Sequence, residues 1–331
     1  MKLKKLFAVM ALTAISATAA FSMGACAKVQ PNAGEYFTSK SSYKVGVCQL
    51  VQHAALDAAT QGFVETLQAE VEKAGKTVEI NIQNANGDSA NCSVIATTMV
   101  AAETDLILAN ATPALQACAS ATQKIPVLGT SITEYADALG VKTWKGGTNI
   151  SGTSDLAPLD KQADMFTELL PNAKKVGILY CSSEANSKFQ AKTITPYLQS
   201  KGITVKTYSF SDSNDISSVI NKIIDEMDAM YIPTDNAAAS NTELINNICS
   251  PRNFPIIAGE EGIAKGCGIA TLSISYYNLG VKTAKMASRI LLEGENVANM
   301  AIEYDTSPVY KYNAAKCEQL GITPPSNYEA L

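Results

Sequence analysis

The stretch Asp228-Ala-Met-Tyr-Ile-Pro-Thr-Asp-Asn-Ala-Ala-Ala239 holds the grammar of the whole fold in twelve residues. Residues 229–232 are apolar and enough for a short buried strand. Pro233 ends it, because proline has no N–H to give to a strand ladder. Thr234, Asp235 and Asn236 follow with the side-chain oxygens that cap helices, and three alanines continue as helix formers. The same order recurs at Asp105-Leu-Ile-Leu-Ala-Asn-Ala-Thr-Pro113, where a helix is predicted to begin at or just after Pro113. Two apolar strands, each ending in a threonine beside a proline, predict two similar lobes. Their strand tips are expected to face each other across a cleft.

Outward from these tips the chain alternates strand and helix. Strands are predicted over 43–50, 78–82, 105–111 and 125–131, with helices between them, the first closed by Gly75 as a C-cap. The stretch 144–155 carries Gly146, Gly147 and Gly152 and reads as an irregular connection between lobes. The alternation then restarts with a helix over 159–170, a strand over 175–181 and a helix over 188–200. A strand over 204–209, a helix over 215–227, the 229–232 strand and a helix to Cys249 come next. A strand over 255–259, an amphipathic helix over 276–292 and an extended 301–312 complete the chain before a short last helix. Repeated strand–helix–strand units imply parallel sheets covered on both faces, since parallel neighbours need a crossover. The fold class is therefore α/β, with two doubly wound, Rossmann-like lobes joined by a hinge. In such sheets ligands sit beyond the carboxyl ends of the strands.

At 331 residues there is length for two cores, and 47% hydrophobic with 17% charged residues marks an ordinary globular chain. Lys2, Lys4 and Lys5 precede an apolar run over 6–21, and Met23-Gly-Ala-Cys26 follows, the pattern of a secretory signal with small residues at the cut. Residues 1–25 are thus read as a signal peptide and Cys26 as a lipidated first residue, with the polar 26–42 as a tether at the membrane surface. Removing the three lysines takes the net charge from −5 to −8, which argues against nucleic acid as a partner. The other seven cysteines form no C-x-x-C pair, so a zinc site or a dense disulfide framework is not expected.

Nothing in the chain spells catalysis. It has one histidine, His53, read as a cap or cleft residue, and no G-x-S-x-G elbow, P-loop or H-E-x-x-H helix. Glu260 and Glu261 are adjacent and cannot face each other on a helix; they fit a helix N-terminus. No cofactor is expected. The tips suit binding instead. Helix N-termini with Thr112, Thr130 or Ser131 beside them would hold a carboxylate, and Glu184 and Asp235 opposite would accept an ammonium. Together they match a zwitterion, although each residue alone is equally a helix cap.

Several passages resemble one family: Val45-Gly-Val-Cys-Gln49 with His53 and Leu56-Asp57; Ala111-Thr-Pro113; Asn149-Ile-Ser-Gly-Thr-Ser154; Leu170-Pro-Asn-Ala-Lys174; Tyr180; Ser183-Glu-Ala-Asn-Ser187; Tyr231-Ile-Pro-Thr-Asp-Asn236; and Tyr276-Tyr-Asn-Leu-Gly280. In this order they resemble the tryptophan/tyrosine-type substrate-binding lipoproteins of ABC transporters, a branch of the type I periplasmic binding proteins. Ala54 and Thr133-Glu134 depart from that pattern. The resemblance implies an extracytoplasmic, lipid-anchored monomer that closes on an amino acid, aromatic by the family's habit, and delivers it to a permease. It maps the ligand loops onto Gln49, His53, Asn84, Thr112, Pro113, Thr130, Ser131, Glu184, Asn186, Ser187, Thr234, Asp235, Asn236 and Glu260. It also implies a first lobe of 43–150 with 273–302 and a second of 151–272 with 303–331. A sensor of the same fold that feeds a membrane signalling protein, or a receptor for a branched-chain amino acid, nucleoside or sugar, remains the alternative.

Overall fold

The computed structural model describes residues 33–331. The signal peptide, Cys26 and the start of the tether lie outside them. In chain order the elements are α1 (Ala33–Thr38), β1 (Ser42–Gln49), α2 (Ala54–Lys73), β2 (Thr77–Asn84), α3 (Ser89–Ala101), β3 (Leu106–Asn110), α4 (Thr112–Ala121), β4 (Val127–Ile132), α5 (Tyr135–Ala138) and β5 (Ile150–Ser154). Then come α6 (Leu159–Leu169), β6 (Lys175–Cys181), α7 (Ala185–Ser200), β7 (Thr204–Phe210), α8 (Ser213–Glu226), β8 (Ala229–Ile232), α9 (Asn236–Ala239), α10 (Thr242–Cys249), β9 (Ile256–Ala258), α11 (Glu261–Gly266) and β10 (Ala270–Ser273). The chain closes with α12 (Tyr276–Glu293), β11 (Glu303–Tyr304), β12 (Val309–Tyr312), α13 (Ala314–Leu320) and β13 (Glu329–Ala330).

Two sheets result, ordered β11-β5-β4-β3-β1-β2 and β13-β12-β10-β9-β8-β6-β7. Their pairings are parallel apart from β10 with β12. Strand alternation feeds a core on each face. In β1, Val45 and Val47 join the cluster under α2 and α12, while Cys48 joins the one under α3 and α4. In β8, Tyr231 packs toward α6, and Met230 and Ile232 toward α8 and α10. The strand β8 is therefore interior to its sheet and buried at every residue.

The chain crosses between sheets three times, after β5, after β10 and after β11. The long helix α12 returns to the first sheet and lies along α2 at very close range. A Cβ on Gly280 would sit 2.0 Å from the Ala59 carbonyl, and one on Gly62 would sit 2.2 Å from that of Tyr277. Two glycines are what let these backbones touch.

Four sequence expectations need correcting. Part of the 144–155 connection is β5, paired with β4, so the first boundary falls after Ser154 and not at 150. Its composition hid it. Ser151 and Thr153 are buried through hydroxyl hydrogen bonds to Met300 and Thr283, not through apolar side chains. The boundary at 302 likewise moves past Tyr304, because β11 pairs with β5, and the extended 301–312 splits between two sheets. The strand β10 was not foreseen. Finally, the tether expected to 42 is already folded from Ala33: Phe37 is buried, and Tyr43 OH donates to Leu291 O at 2.6 Å with the Phe37 carbonyl 3.1 Å away.

Candidate functional site

The strand tips of both lobes converge on one small enclosed cavity lined by His53, Leu56, Ser131, Asp155, Asn186, Thr234, Asp235, Asn236, Ala239, Glu260 and Tyr276. Its free volume of about 10 Å³ admits little more than one water-sized sphere. The lobes touch directly here. His53 Nε2 lies 3.2 Å from Asn236 Oδ1, Thr133 Oγ1 lies 3.4 Å from Thr234 Oγ1, and Gln190 Nε2 donates to Thr133 Oγ1 at 3.1 Å. This is a closed conformation.

The second-lobe wall is built of acceptors. Asp235 caps α9 through Oδ1, which accepts from Ala238 N at 2.8 Å, and its Oδ2 accepts from Cys181 N at 2.6 Å. Glu184 accepts from the backbone of Asn236 and Ala237 and from the amides of Asn186 and Asn236. Glu260 caps α11 through Gly262 N and Ile263 N. Burial pushes Glu260 up to about 7 against the pull of those two N–H groups. Asp235 is raised by burial first and by the charge of Glu184 second. Among the described residues, no lysine or arginine pairs with any of these three acids.

Asp155, where the chain first crosses between lobes, is the fourth buried acid. Thr133 Oγ1 donates to its Oδ1 at 3.0 Å and Tyr276 OH to its Oδ2 at 3.0 Å. Burial raises its carboxyl to about 6, and those two hydroxyls hold it from going higher. Each oxygen takes one hydroxyl only, so each keeps a lone pair for another donor. His53 is lowered by burial and stays neutral. The Asn236 amide nitrogen is engaged by Glu184, so His53 Nε2 donates to Asn236 Oδ1 and Nδ1 is left as an acceptor. His53 Nδ1 and Asn186 Oδ1 are both buried without a partner among the described residues.

The first-lobe wall has the opposite character. Ala111 takes φ 91° and Ser131 φ 58°, conformations that cost a residue with a Cβ and persist where the surroundings impose them. Ala111 precedes α4, whose first turn has Pro113 and no side-chain cap. Its free N–H groups and positive dipole end suit an anion. Beside them the hydroxyls of Thr112 and Ser131 are buried and lack partners among the described residues.

Of the residues expected at the site, His53, Ser131, Asn186, Thr234, Asp235, Asn236 and Glu260 line the cavity. Glu184 and Ser187 lie one layer behind, the Ser187 hydroxyl accepting from the Asn186 amide. Thr112 and Pro113 form the buried first turn of α4. Three expectations are corrected. Gln49 is tied up by Val51, Asp57 and Thr60, and Thr130 accepts from Thr153, so both brace the first lobe. Asn84 is exposed and accepts from Asn86 N in a turn, as short polar residues in loops do. Sequence reasoning missed Leu56, Asp155, Ala239 and Tyr276. An acid directly after a strand signals a tip, but the strand before Asp155 was not recognised. A larger open groove of about 770 Å³ beside Trp144 and Tyr304 lies outside the cleft. None of its lining side chains is a buried polar group without a partner among the described residues, so chemistry favours the smaller cavity. Among the described residues no cluster of His, Cys, Asp or Glu is arranged to hold a metal.

Comparison with known proteins gives a consistent picture. Residues 44–330 match the family described as ABC transporter substrate binding protein. The chain is 35% identical, over 265 residues, to the tyrosine-binding protein of Clostridioides difficile, covering 80% of this chain and 76% of that one. It is 33% identical to an ABC domain from Streptococcus pneumoniae solved in complex with L-Trp, with TM-score 0.81 and coverage of 86% and 97%. It is 35% identical to a ligand-free, open substrate-binding protein with adhesive properties from Clostridium difficile, with TM-score 0.67 and coverage of 87% and 99%. The open protein is slightly nearer in sequence but further in shape. That fits the closed lobe arrangement seen here.

Proposed function

The chain belongs to the ABC transporter substrate-binding protein family, and from that premise we propose that its cleft closes on an α-amino acid with an aromatic side chain. One observation carries the reading: the two walls have complementary and unsatisfied chemistry. The second lobe and the hinge offer acceptors, namely four buried acids and Asn186 Oδ1, and His53 Nδ1 of the first lobe adds one more. Such a wall needs a cationic donor, because buried carboxylates without one are costly. The first lobe adds the Ser131 hydroxyl at the cavity and, outside its lining, the Thr112 hydroxyl and the N-terminus of α4; both hydroxyls lack partners among the described residues, and all three suit an anion. A zwitterion supplies both. Asp155 is the foremost ammonium acceptor, since Asp235, Glu184 and Glu260 are already engaged as caps. The aromatic preference follows the L-Trp and tyrosine named for the relatives, with Leu56, Ala239 and Tyr276 as apolar wall.

Entry requires the lobes to part, and the liganded cleft must close less tightly at His53–Asn236 than it does here, since this cavity of about 10 Å³ holds no more than a water. Ligand contact with both walls then favours the closed state. Anchored through Cys26 as a monomer outside the cytoplasmic membrane, the loaded protein would hand its ligand to a permease. The matched family is one of substrate-binding proteins, which fits a receptor role.

A thermal-shift and calorimetry panel tests this. L-Trp, L-Tyr and L-Phe should stabilise the protein by about 2.7 kcal/mol at a hundred times Kd. Their N-acetyl and decarboxylated analogues should bind far more weakly. Stabilisation by a nucleoside or sugar, with no response to any amino acid, would overturn the reading.

A further inference from the structure

We propose that Gln190 and Thr133 are positioning residues that aim the Asp155 carboxylate at the ligand's ammonium only when the lobes are closed; this rests on the amino-acid reading above. Gln190 belongs to α7 in the second lobe and is buried. Its Oε1 accepts from Thr234 N at 3.2 Å, which fixes the amide orientation and turns Nε2 toward Thr133 and the Thr234 hydroxyl. Thr133 follows β4 in the first lobe. A hydroxyl has one proton, and that of Thr133 goes to Asp155 Oδ1, so its oxygen is free to accept from Gln190. The result is a directed chain from Gln190 N–H through Thr133 O–H to Asp155.

Every link depends on closure. Gln190 and Thr234 sit in one lobe, Thr133 in the other, and Asp155 on the crossover between them. When the lobes part, Thr133 loses its donor and is free to rotate away from the carboxylate. When they close, the hydroxyl is polarised and pinned, and hydrogen bonds in such chains strengthen one another. Neither Gln190 nor Thr133 lines the cavity. Both therefore act on the ligand through Asp155 and through the closed population.

Gln190→Leu keeps the volume and removes the donors, while Thr133→Val and Thr133→Ser remove and retain the hydroxyl. By calorimetry and stopped flow with L-Trp or L-Tyr, Gln190→Leu and Thr133→Val should weaken binding about tenfold, mainly through faster release. Thr133→Ser should restore most of the loss. The acid limb of the affinity profile should move to higher pH in Thr133→Val, because Asp155 loses a donor that favours its charged form. The other titratable groups facing Asp155 are Tyr276, Tyr135, Glu260, Asp235 and neutral His53. None of them bonds Thr133, so the displacement reports on Asp155. A folded Thr133→Val protein with unchanged affinity and pH profile would overturn the proposal. Should the wild type bind no amino acid, the ligand reading falls, and X-ray scattering of the unliganded proteins still decides whether the Gln190–Thr133 contact holds the lobes closed. A more open Gln190→Leu protein supports it, and an unchanged one rejects it.

Discussion

The tips at Ala111–Pro113 and at Ile232–Asn236 carry the same sequence grammar and perform opposite tasks. In the second lobe, Pro233 stops β8 and Asp235 caps the helix that follows, with both oxygens engaged by backbone N–H groups. In the first, the threonine is inside the helix, the preceding alanine takes a positive φ, and no side chain caps the turn. One tip satisfies its helix internally and presents a buried carboxyl to the cavity. The other leaves its helix end without a side-chain cap and Thr112 Oγ1 without a partner among the described residues. A shared pattern of apolar run, threonine and proline thus fixes where a tip lies, but not its sign.

The largest effect is expected at Asp155, between the two walls. Asp155→Asn should weaken amino-acid binding by roughly 2–5 kcal/mol, the range for removing one partner of a buried charge pair, as measured by calorimetry. A variant at Asp235 that cost more affinity than this would return the ammonium to the second-lobe tip.

Next comes the internally satisfied tip itself. Asp235→Ala removes a cap worth about 1 kcal/mol and strands the buried Cys181 N–H, for a further 1–3 kcal/mol or so. Its thermal midpoint should fall by several degrees in the unliganded protein. An unchanged midpoint together with lost binding would show that Asp235 serves the ligand and not its lobe.

The open tip predicts the reverse. Thr112→Val removes a hydroxyl without a partner among the described residues, so the midpoint should hold while affinity drops by about 1.5 kcal/mol, the lower end for a hydrogen bond to a charged group. A decarboxylated ligand should be indifferent to this substitution. If it loses as much as the amino acid does, the carboxylate is held elsewhere.

Legibility in the sequence followed the kind of burial. The strand at 229–232 and the one at 175–181 emerged at the expected residues because apolar runs bury them. The strand β5 did not, because Ser151, Thr153 and Ser154 are buried by hydrogen bonds whose partners, Met300, Thr283 and Thr133, are all distant in sequence. That miss concealed Asp155 as a tip. Tyr276 was legible as the start of an amphipathic helix, yet its hydroxyl contact with Asp155 is visible only in three dimensions. Cap chemistry and ligand chemistry also use the same residue types. Asp235 and Glu260 were found for reasons that serve their helices first.

The smallest effect on affinity, about 1.4 kcal/mol for a tenfold change between about pH 7 and 5, separates the walls by pH. Burial raises Asp155 to about 6 and Glu260 to about 7, above the ordinary carboxylate range. Between about pH 4 and 7 the folded protein therefore keeps protons that the unfolded chain has released. Unliganded stability should rise as pH falls through that window and decline as pH rises, the reverse of a salt-bridged acid. Ligand affinity runs the other way. An ammonium needs the ionised carboxylate, so binding should be tightest above about pH 7, weaken toward pH 5, and release protons near pH 6. Calorimetry in buffers of different ionisation enthalpy reads that release. Asp155→Asn should flatten the profile, whereas Thr112→Val should lower affinity by the same factor at every pH, since the first-lobe donors do not titrate there. A pH-dependent Thr112→Val effect would mean that the two walls are not independent.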